Sequence, residues 1–231
     1  MTLFDRSPSP FTSLPMYKAR VILADPPWYF RNFSAKGEEK NPVSHYGCMD
    51  LDAIKALPVK ELADPAGCAL IMWATAPMLP HAIETLSAWG FTFKSAGAWA
   101  KQSSTGSRWH FGTGYCYRSA AEFWLLGTIG HPKQKSRSIR NLIVAPVREH
   151  SRKPDEMRQD IELLFDGPYV ELFAREPAPG WQSWGNEATK FADPAARMRT
   201  LQDDAPRLIK IRRAISAALR WPLAGSSPSK L

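Results

Sequence analysis

Residues 22–30 read ILADPPWYF, an apolar run that stops at one acid, two prolines and a tryptophan. A residue before proline is pushed to extended geometry, so Asp25 belongs at the very end of a strand. Pro26 and Pro27 fix the backbone that follows, donate no N–H and are expected to leave their carbonyls free to accept. The Asp25 carboxylate and the Pro26 carbonyl then form a rigid pair of acceptors, matched to a group with two donor hydrogens, an amine or amide NH₂. Trp28 adds a flat apolar face suited to stacking on a planar ring. A planar ring that carries NH₂ describes adenine or cytosine. Its exocyclic nitrogen is a poor nucleophile, because the lone pair is delocalised into the ring. Two fixed oxygens that take both hydrogens favour a pyramidal nitrogen with a localised lone pair. Holding that nitrogen in line with an electrophile adds a proximity effect. The plain alternative is a proline-rich loop that merely ends a strand, and a tryptophan directly after the prolines favours the chemical reading.

The elements that must position these residues can be read along the chain. Residues 19–25, 67–75, 91–101, 120–129, 141–146 and 169–175 read as strands, the last closing the series. Helices are expected from Asp50, a capping residue, through Leu57, over 77–89 with Gly90 just past the end, and over 153–165 with Pro154 in the first turn. Apolar strands alternating with helices argue for an α/β sheet that is mostly parallel. Such sheets bind ligands outside the carboxyl ends of their strands. Asp25, Thr75 and Arg175 each end an expected strand and are candidates for one shared rim. There is no G-x-G-x-x-G or P-loop match, so a classical dinucleotide or nucleoside triphosphate site has no support.

Composition narrows the partners. The chain has 231 residues, with 30 Lys and Arg against 22 Asp and Glu, a net charge of +8. That balance suits a polyanion, with nucleic acid the first candidate. Loops 102–119 and 130–140, rich in basic and aromatic residues, are expected around the sheet rim as contacts for a nucleic-acid backbone and for splayed bases. Cys48, Cys68 and Cys116 share no metal-ligand spacing and cannot close a disulfide framework. The five histidines are scattered. No metal site is expected. The thiols fit a reducing compartment, and without an apolar leader or membrane span a cytoplasmic protein is expected. Three regions emerge: an irregular lead-in over 1–18, a catalytic domain over 19–189, and a basic extension over 190–231. In the extension Leu208, Ile211, Ile215 and Leu219 form one face of an amphipathic helix, which either packs on the domain or contacts a partner, and the end is expected to be disordered.

The chain resembles the adenine-N6 methyltransferases related to the catalytic subunit of the eukaryotic mRNA adenosine methyltransferase, a family with bacterial and phage members. The resemblance rests on DPPW after VILA, HYGCMDLDAI (45–54), GCALIMWAT with Trp73, GAWAK with Trp99 and Lys101, AAEFWLLG with Glu122, SRKPDEM (151–157), VELFAR and WGNE (184–187), in that order. It implies a Rossmann-like fold that uses S-adenosylmethionine as methyl donor, with helices on both faces of a mostly parallel sheet. It also implies a permuted motif order, the amine-binding motif preceding the cofactor strand. That order accounts for the missing glycine-rich loop near the N-terminus.

The resemblance also implies roles. Asp25, Pro26, Pro27 and Trp28 would be the catalytic motif, with Asp25 also near the donor methyl. Tyr46 would help shape the base pocket. Lys153 would pair with the cofactor's carboxylate, while Arg175, Asn186 and Glu187 would bind its ribose hydroxyls. The last of these is Gln in the best-known relatives. Trp73 and Trp99 read as core. Glu122 reads as a buried partner for a loop arginine. The implied reaction is direct transfer from the sulfonium to N6 of an adenine that is single-stranded or flipped out. The compact chain favours DNA over RNA and a bacterial or phage source, as a monomer or homodimer. RNA adenosine and an inactive nucleic-acid-binding or scaffolding homologue are the alternatives. Methylation of a protein glutamine would call for Asn at position 25 and an upstream glycine-rich motif, and neither is present.

Overall fold

The computed structural model describes residues 9–28, 49–149 and 151–186. Strands β1 (Val21–Ala24), β2 (Gly67–Ala74), β3 (Thr92–Gln102), β4 (Ala121–Gly130), β5 (Leu142–Pro146), β6 (Tyr169–Leu172) and β7 (Trp181–Trp184) form one sheet in the order β5-β3-β4-β2-β1-β6-β7. The α-helices among the described residues are α1 (Leu51–Lys55), α2 (Leu79–Ala88) and α3 (Glu156–Leu164). Six strands run one way and β4 runs against both its neighbours, β2 and β3. The sheet is therefore mostly parallel, as the apolar strands imply. The expected strand over 169–175 is not the last: β7 follows and pairs with β6, Leu172 opposite Trp184. Its sequence, WQSW, is too short and too polar in the middle to announce a strand.

Alternation along β1 sorts the core into two layers. Ile22 and Ala24 pack with Leu70 and Met72 beneath Ile54 of α1 and Ala82 and Leu86 of α2. Val21 and Leu23 pack with Ala69, Ile71 and Trp73 against Met157 and Ile161 of α3. Both faces of the sheet carry helices, which is why β1 and β2 read as continuous apolar runs. Asp50 caps α1, its carboxylate accepting the Asp52 N–H at 3.2 Å. Gly90 takes φ +83° just past α2, where the N–H of Phe91 closes on the Leu86 carbonyl at 3.0 Å.

One consequence of this topology positions the site. The carboxyl ends of six strands share an edge with the start of β4. Asp25 after β1, Thr75 after β2, Lys101 near the end of β3, Glu122 at the start of β4 and Arg148 just beyond β5 meet there. Loop 103–120, between β3 and β4, is also at this edge. Loop 131–141 is not: it leaves from Gly130, which pairs with Gly67 at the opposite edge, and Lys135 is held by Asp166 beyond α3. The expectation that both basic loops ring one rim therefore holds for the first alone. The reason is that β4 reverses and carries the chain away from that rim. The expected C-terminal extension lies outside the described residues. Among the described residues no helix is long and apolar enough to cross a membrane.

Candidate active site

A cleft of about 500 Å³ opens at this edge, within the range of small-molecule sites. Asp25, Pro26, Pro27 and Trp28 line one wall, and Thr75, Trp99, Lys101, His110, Glu122, Lys153 and Arg175 contribute to the rest. A smaller cavity adjoins it through Asp25, Lys153 and Arg175 and reaches Glu171, Arg158 and Glu176. The shared-rim expectation for Asp25, Thr75 and Arg175 thus brings together residues from three different strands.

The charged groups form one alternating series. Lys101 Nζ donates to Glu122 Oε2 at 2.8 Å, and Lys153 Nζ lies 3.0 Å from the other oxygen of Glu122. Lys153 also donates to Asp25 Oδ2 at 2.9 Å, and Arg175 Nη2 approaches that same oxygen at 3.4 Å. Three cations face two carboxylates, leaving one net positive charge. All but Lys101 are less than one-fifth exposed. Removing such charges from water is costly, and only the neighbouring opposite charges make their burial tolerable. Burial opposes ionisation of Glu122, but Lys153 and Lys101 outweigh it and bring its pKa down to about 2. Burial likewise opposes the charge of Lys153, and Asp25 and Glu122 together hold its pKa above the ordinary lysine value.

Two expectations need correction here. The proline carbonyls are not free: Pro26 accepts the Trp28 N–H at 2.8 Å and Pro27 accepts the Met49 N–H at 3.3 Å. The Pro26 contact is a tight local turn that consecutive fixed φ angles promote, and its carbonyl keeps a second lone pair. Glu122 is a buried partner, but its partners are two lysines rather than a loop arginine.

Trp28 is 5% exposed and its indole Nε1 donates to the Trp73 carbonyl at 2.9 Å. The ring is therefore a fixed wall of the cleft, tied to the end of β2, and only a small part of it faces the opening. Trp73 and Trp99 are core, as expected, and they carry the two lysines. Lys153 Nζ is 5.6 Å from the Trp73 ring centre and Lys101 Nζ is 4.8 Å from that of Trp99.

Lys153 precedes α3 on a segment braced by Arg148, which spans Asp155 at 2.7 and 2.9 Å, and by Arg152, which reaches Glu176 at 2.7 Å. Arg175 follows β6 and donates to the Ser151 carbonyl at 3.3 Å. Asn186 sits exposed in the turn after β7 and does not line the cleft. Tyr46 and Glu187 lie outside the described residues. Sequence reasoning passed over Lys101 and Glu122 as site residues, although both stand in stretches that carry the family resemblance. Arg158 was passed over too, and it is held between Glu171 at 2.9 Å and Glu176 at 3.3 Å beneath the smaller cavity. The available signal was a charged residue inside an otherwise largely apolar strand, at positions 122 and 171. Among the described residues no cluster of His, Cys, Asp or Glu could hold a metal ion.

Residues 19–187 match the family model described as MT-A70. The chain is 30% identical over 198 residues to "Type II methyltransferase M.MunI" of a Mycoplasma species, covering 77% of this chain and 81% of that protein. It is 31% identical over 171 residues to the "N(6)-adenosine-methyltransferase MT-A70-like" protein of Arabidopsis thaliana, covering 72% of this chain and 23% of that one. It is 29% identical over 189 residues to the human "N(6)-adenine-specific methyltransferase METTL4", covering 74% of this chain and 38% of that one. The chain thus spans less than half the length of these two eukaryotic relatives and most of the bacterial one. The match over the whole sheet, together with the Asp25-Pro26-Pro27-Trp28 wall at its rim, places this chain in the MT-A70 family.

Proposed function

We propose that this protein transfers a methyl group from S-adenosylmethionine to the N6 amine of adenine in nucleic acid, with DNA the preferred substrate. The observation that carries the reading is Asp25: a carboxylate at the end of β1, 16% exposed, facing a cleft large enough for a nucleobase and walled by Trp28. The residues present fit the donor. Lys153 offers an ammonium for its carboxylate, Arg175 a guanidinium for its ribose hydroxyls, and the carboxylates of Asp25 and Glu122 suit its cationic centre. The donor, when bound, supplies an electrophilic methyl group on a sulfonium.

The chain's own residues do the rest. Asp25 accepts one amine hydrogen and the remaining lone pair of Pro26 accepts the other, which localises the nitrogen lone pair. Lys153 and Arg175, at 2.9 and 3.4 Å from Asp25 Oδ2, hold that carboxylate in place as an acceptor. The rigid Trp28 wall fixes where a planar base can lie, so the nitrogen is held in place rather than diffusing. The surplus proton leaves to Asp25 or to water. Tyr46, Asn186 and Glu187 are proposed to complete the base and ribose contacts, Asn186 by swinging in from its exposed turn. The acid-free stretch from 102 to 121 supports a polyanionic substrate. The compact match to the bacterial "Type II methyltransferase" favours DNA. A base buried in a duplex does not present its amine, so the target is unpaired or extruded.

The test is incubation with isotopically labelled donor and short single- and double-stranded DNA and RNA, followed by nucleoside analysis. N6-methyladenine in DNA is the expected product. Label in cytosine or in protein, or none, overturns the reading, and label in RNA alone overturns the DNA preference.

A further inference from the structure

Loop 103–120 carries Trp109, Phe111, Tyr115 and Tyr117, which are 61, 57, 84 and 90% exposed. Exposing four large aromatic side chains on one short loop is unfavourable unless something covers them in use. The loop is not loosely attached. Trp109 bridges back to Gln102, His110 donates its N–H to the Lys101 carbonyl at 2.9 Å, and Gly112 donates to the Ser119 carbonyl at 2.8 Å. At its tip a side chain on Gly114 would collide with the Tyr117 carbonyl, a Cβ standing 1.9 Å from that oxygen. The Arg118 guanidinium rests 5.3 Å from the Phe111 ring centre. From Gln102 to Ala121 there are Arg108, His110 and Arg118 and no Asp or Glu. His110 lines the cleft itself, so the loop begins at the cleft wall and returns to it at Glu122.

We infer that this loop is a stacking platform for the unpaired nucleotides that flank the target base. Trp109, Phe111 and Tyr117 take base faces, while Arg108 and Arg118 take phosphates. The occupant is a single strand of nucleic acid, argued from charge and position: aromatic faces accept any base, the stretch is free of acids, and it abuts the cleft where the target would enter. A protein surface would be expected to meet some acidic complement. The inference rests on the nucleic-acid reading above, and it adds where the strand runs.

The test uses the full chain and fluorescently labelled oligothymidylate, single-stranded and as a duplex with oligoadenylate, read by anisotropy. Thymine has no exocyclic amine, so its binding does not depend on Asp25. Single-stranded oligothymidylate should bind more tightly than the duplex, and Trp109→Ala, Phe111→Ala and Tyr117→Ala should each weaken it by about tenfold. Trp109→Phe should restore most of the loss. S-adenosylhomocysteine binding, measured by calorimetry, should stay unchanged in all of them. Alanine variants that bind as tightly as the parent overturn the platform. So does a parent that ignores oligothymidylate, or one that dimerises through these side chains and becomes monomeric when they are removed. Platform variants that lose binding in a protein that never methylates adenine would leave the platform standing and sink the proposed reaction. Normal methylation with unaffected binding would do the reverse.

Discussion

Lys153 Nζ lies 2.9 Å from Asp25 Oδ2, a contact that joins residues 128 positions apart and ties the loop before α3 to the end of β1. The same ammonium is 3.0 Å from Glu122, so one cation holds carboxylates from two different strands. A ligand carboxylate that recruits Lys153 has to compete with both, and Asp25 is then left with Arg175 as its cation. Under the proposed function, donor binding and exposure of the amine acceptor are thereby coupled through a single side chain.

Asp25→Ala is expected to reduce methyl transfer by at least about a hundredfold, the scale of losing a preorganised polar group at a reacting centre. Donor binding should be partly retained, because Lys153 and Arg175 remain. Radiolabel transfer and calorimetry on the same preparation check this. Undiminished transfer would remove Asp25 from the chemistry.

Glu122→Gln tests the middle of the charge series. The Glu122 pKa falls from 4.5 to about 2 on folding. At roughly 1.4 kcal/mol per unit, that corresponds to about 3 kcal/mol of stability. A depressed carboxylate contributes this above pH 4.5 and loses it as pH falls towards 2. Urea unfolding should therefore show the parent ahead of Glu122→Gln by about 3 kcal/mol at pH 7. The gap should close between pH 4.5 and 2. A gap that is constant with pH would contradict the depressed ionisation.

Lys153→Met removes the cation shared by Asp25 and Glu122. Its pKa is raised, so its favourable contribution is complete below the ordinary lysine value and disappears only at higher, strongly alkaline pH. Across neutral pH the variant should bind donor at least about tenfold more weakly, the effect of one lost charge-assisted contact. Calorimetry reads this directly, and unchanged affinity would separate Lys153 from the donor.

Trp28→Phe keeps an aromatic wall but leaves the Trp73 carbonyl without its indole donor. A loss of about 1–3 kcal/mol is expected, the range for stranding a buried acceptor. Thermal unfolding checks it, and a variant as stable as the parent would show that the indole bond does not hold the wall.

Gly97→Ala tests how β3 and β4 set the rim. A Cβ there would stand 2.0 Å from Trp124 Cζ2 and 2.5 Å from the Asn141 carbonyl, so the Trp124 ring and the backbone entering β5 must give way. Destabilisation by roughly 1–3 kcal/mol is expected. Activity should fall further than stability explains, because Lys101 and Glu122 leave these two strands at the cleft. Parent-like activity in the folded variant would show that the site tolerates the shift.

Much of this was readable in the residues. Continuous apolar runs at 21–24 and 67–74 announced buried parallel strands, and proline after Asp25 announced where the first one ends. The seventh strand was hidden because four residues at a sheet edge, two of them polar, leave no periodic signature. The partners of Glu122 were hidden for a different reason. Which lysine meets it depends on the β3–β4 register and on the path of the loop before α3, and both are set by packing far from position 122. The Pro26 carbonyl was misjudged because an acceptor without a neighbouring proton donor in sequence can still find one two residues on.

The reversal of β4 also bears on how relatives can diverge. In a sheet whose strands all ran one way, each connection would have to cross a face and return, so lengthening it would disturb a helix. Here the chain leaves and re-enters the sheet at one edge through a hairpin between β3 and β4. Residues can be inserted into or deleted from that hairpin without re-threading any connection, so under the proposed function substrate preference can evolve on this loop while the chemistry at β1 stays fixed.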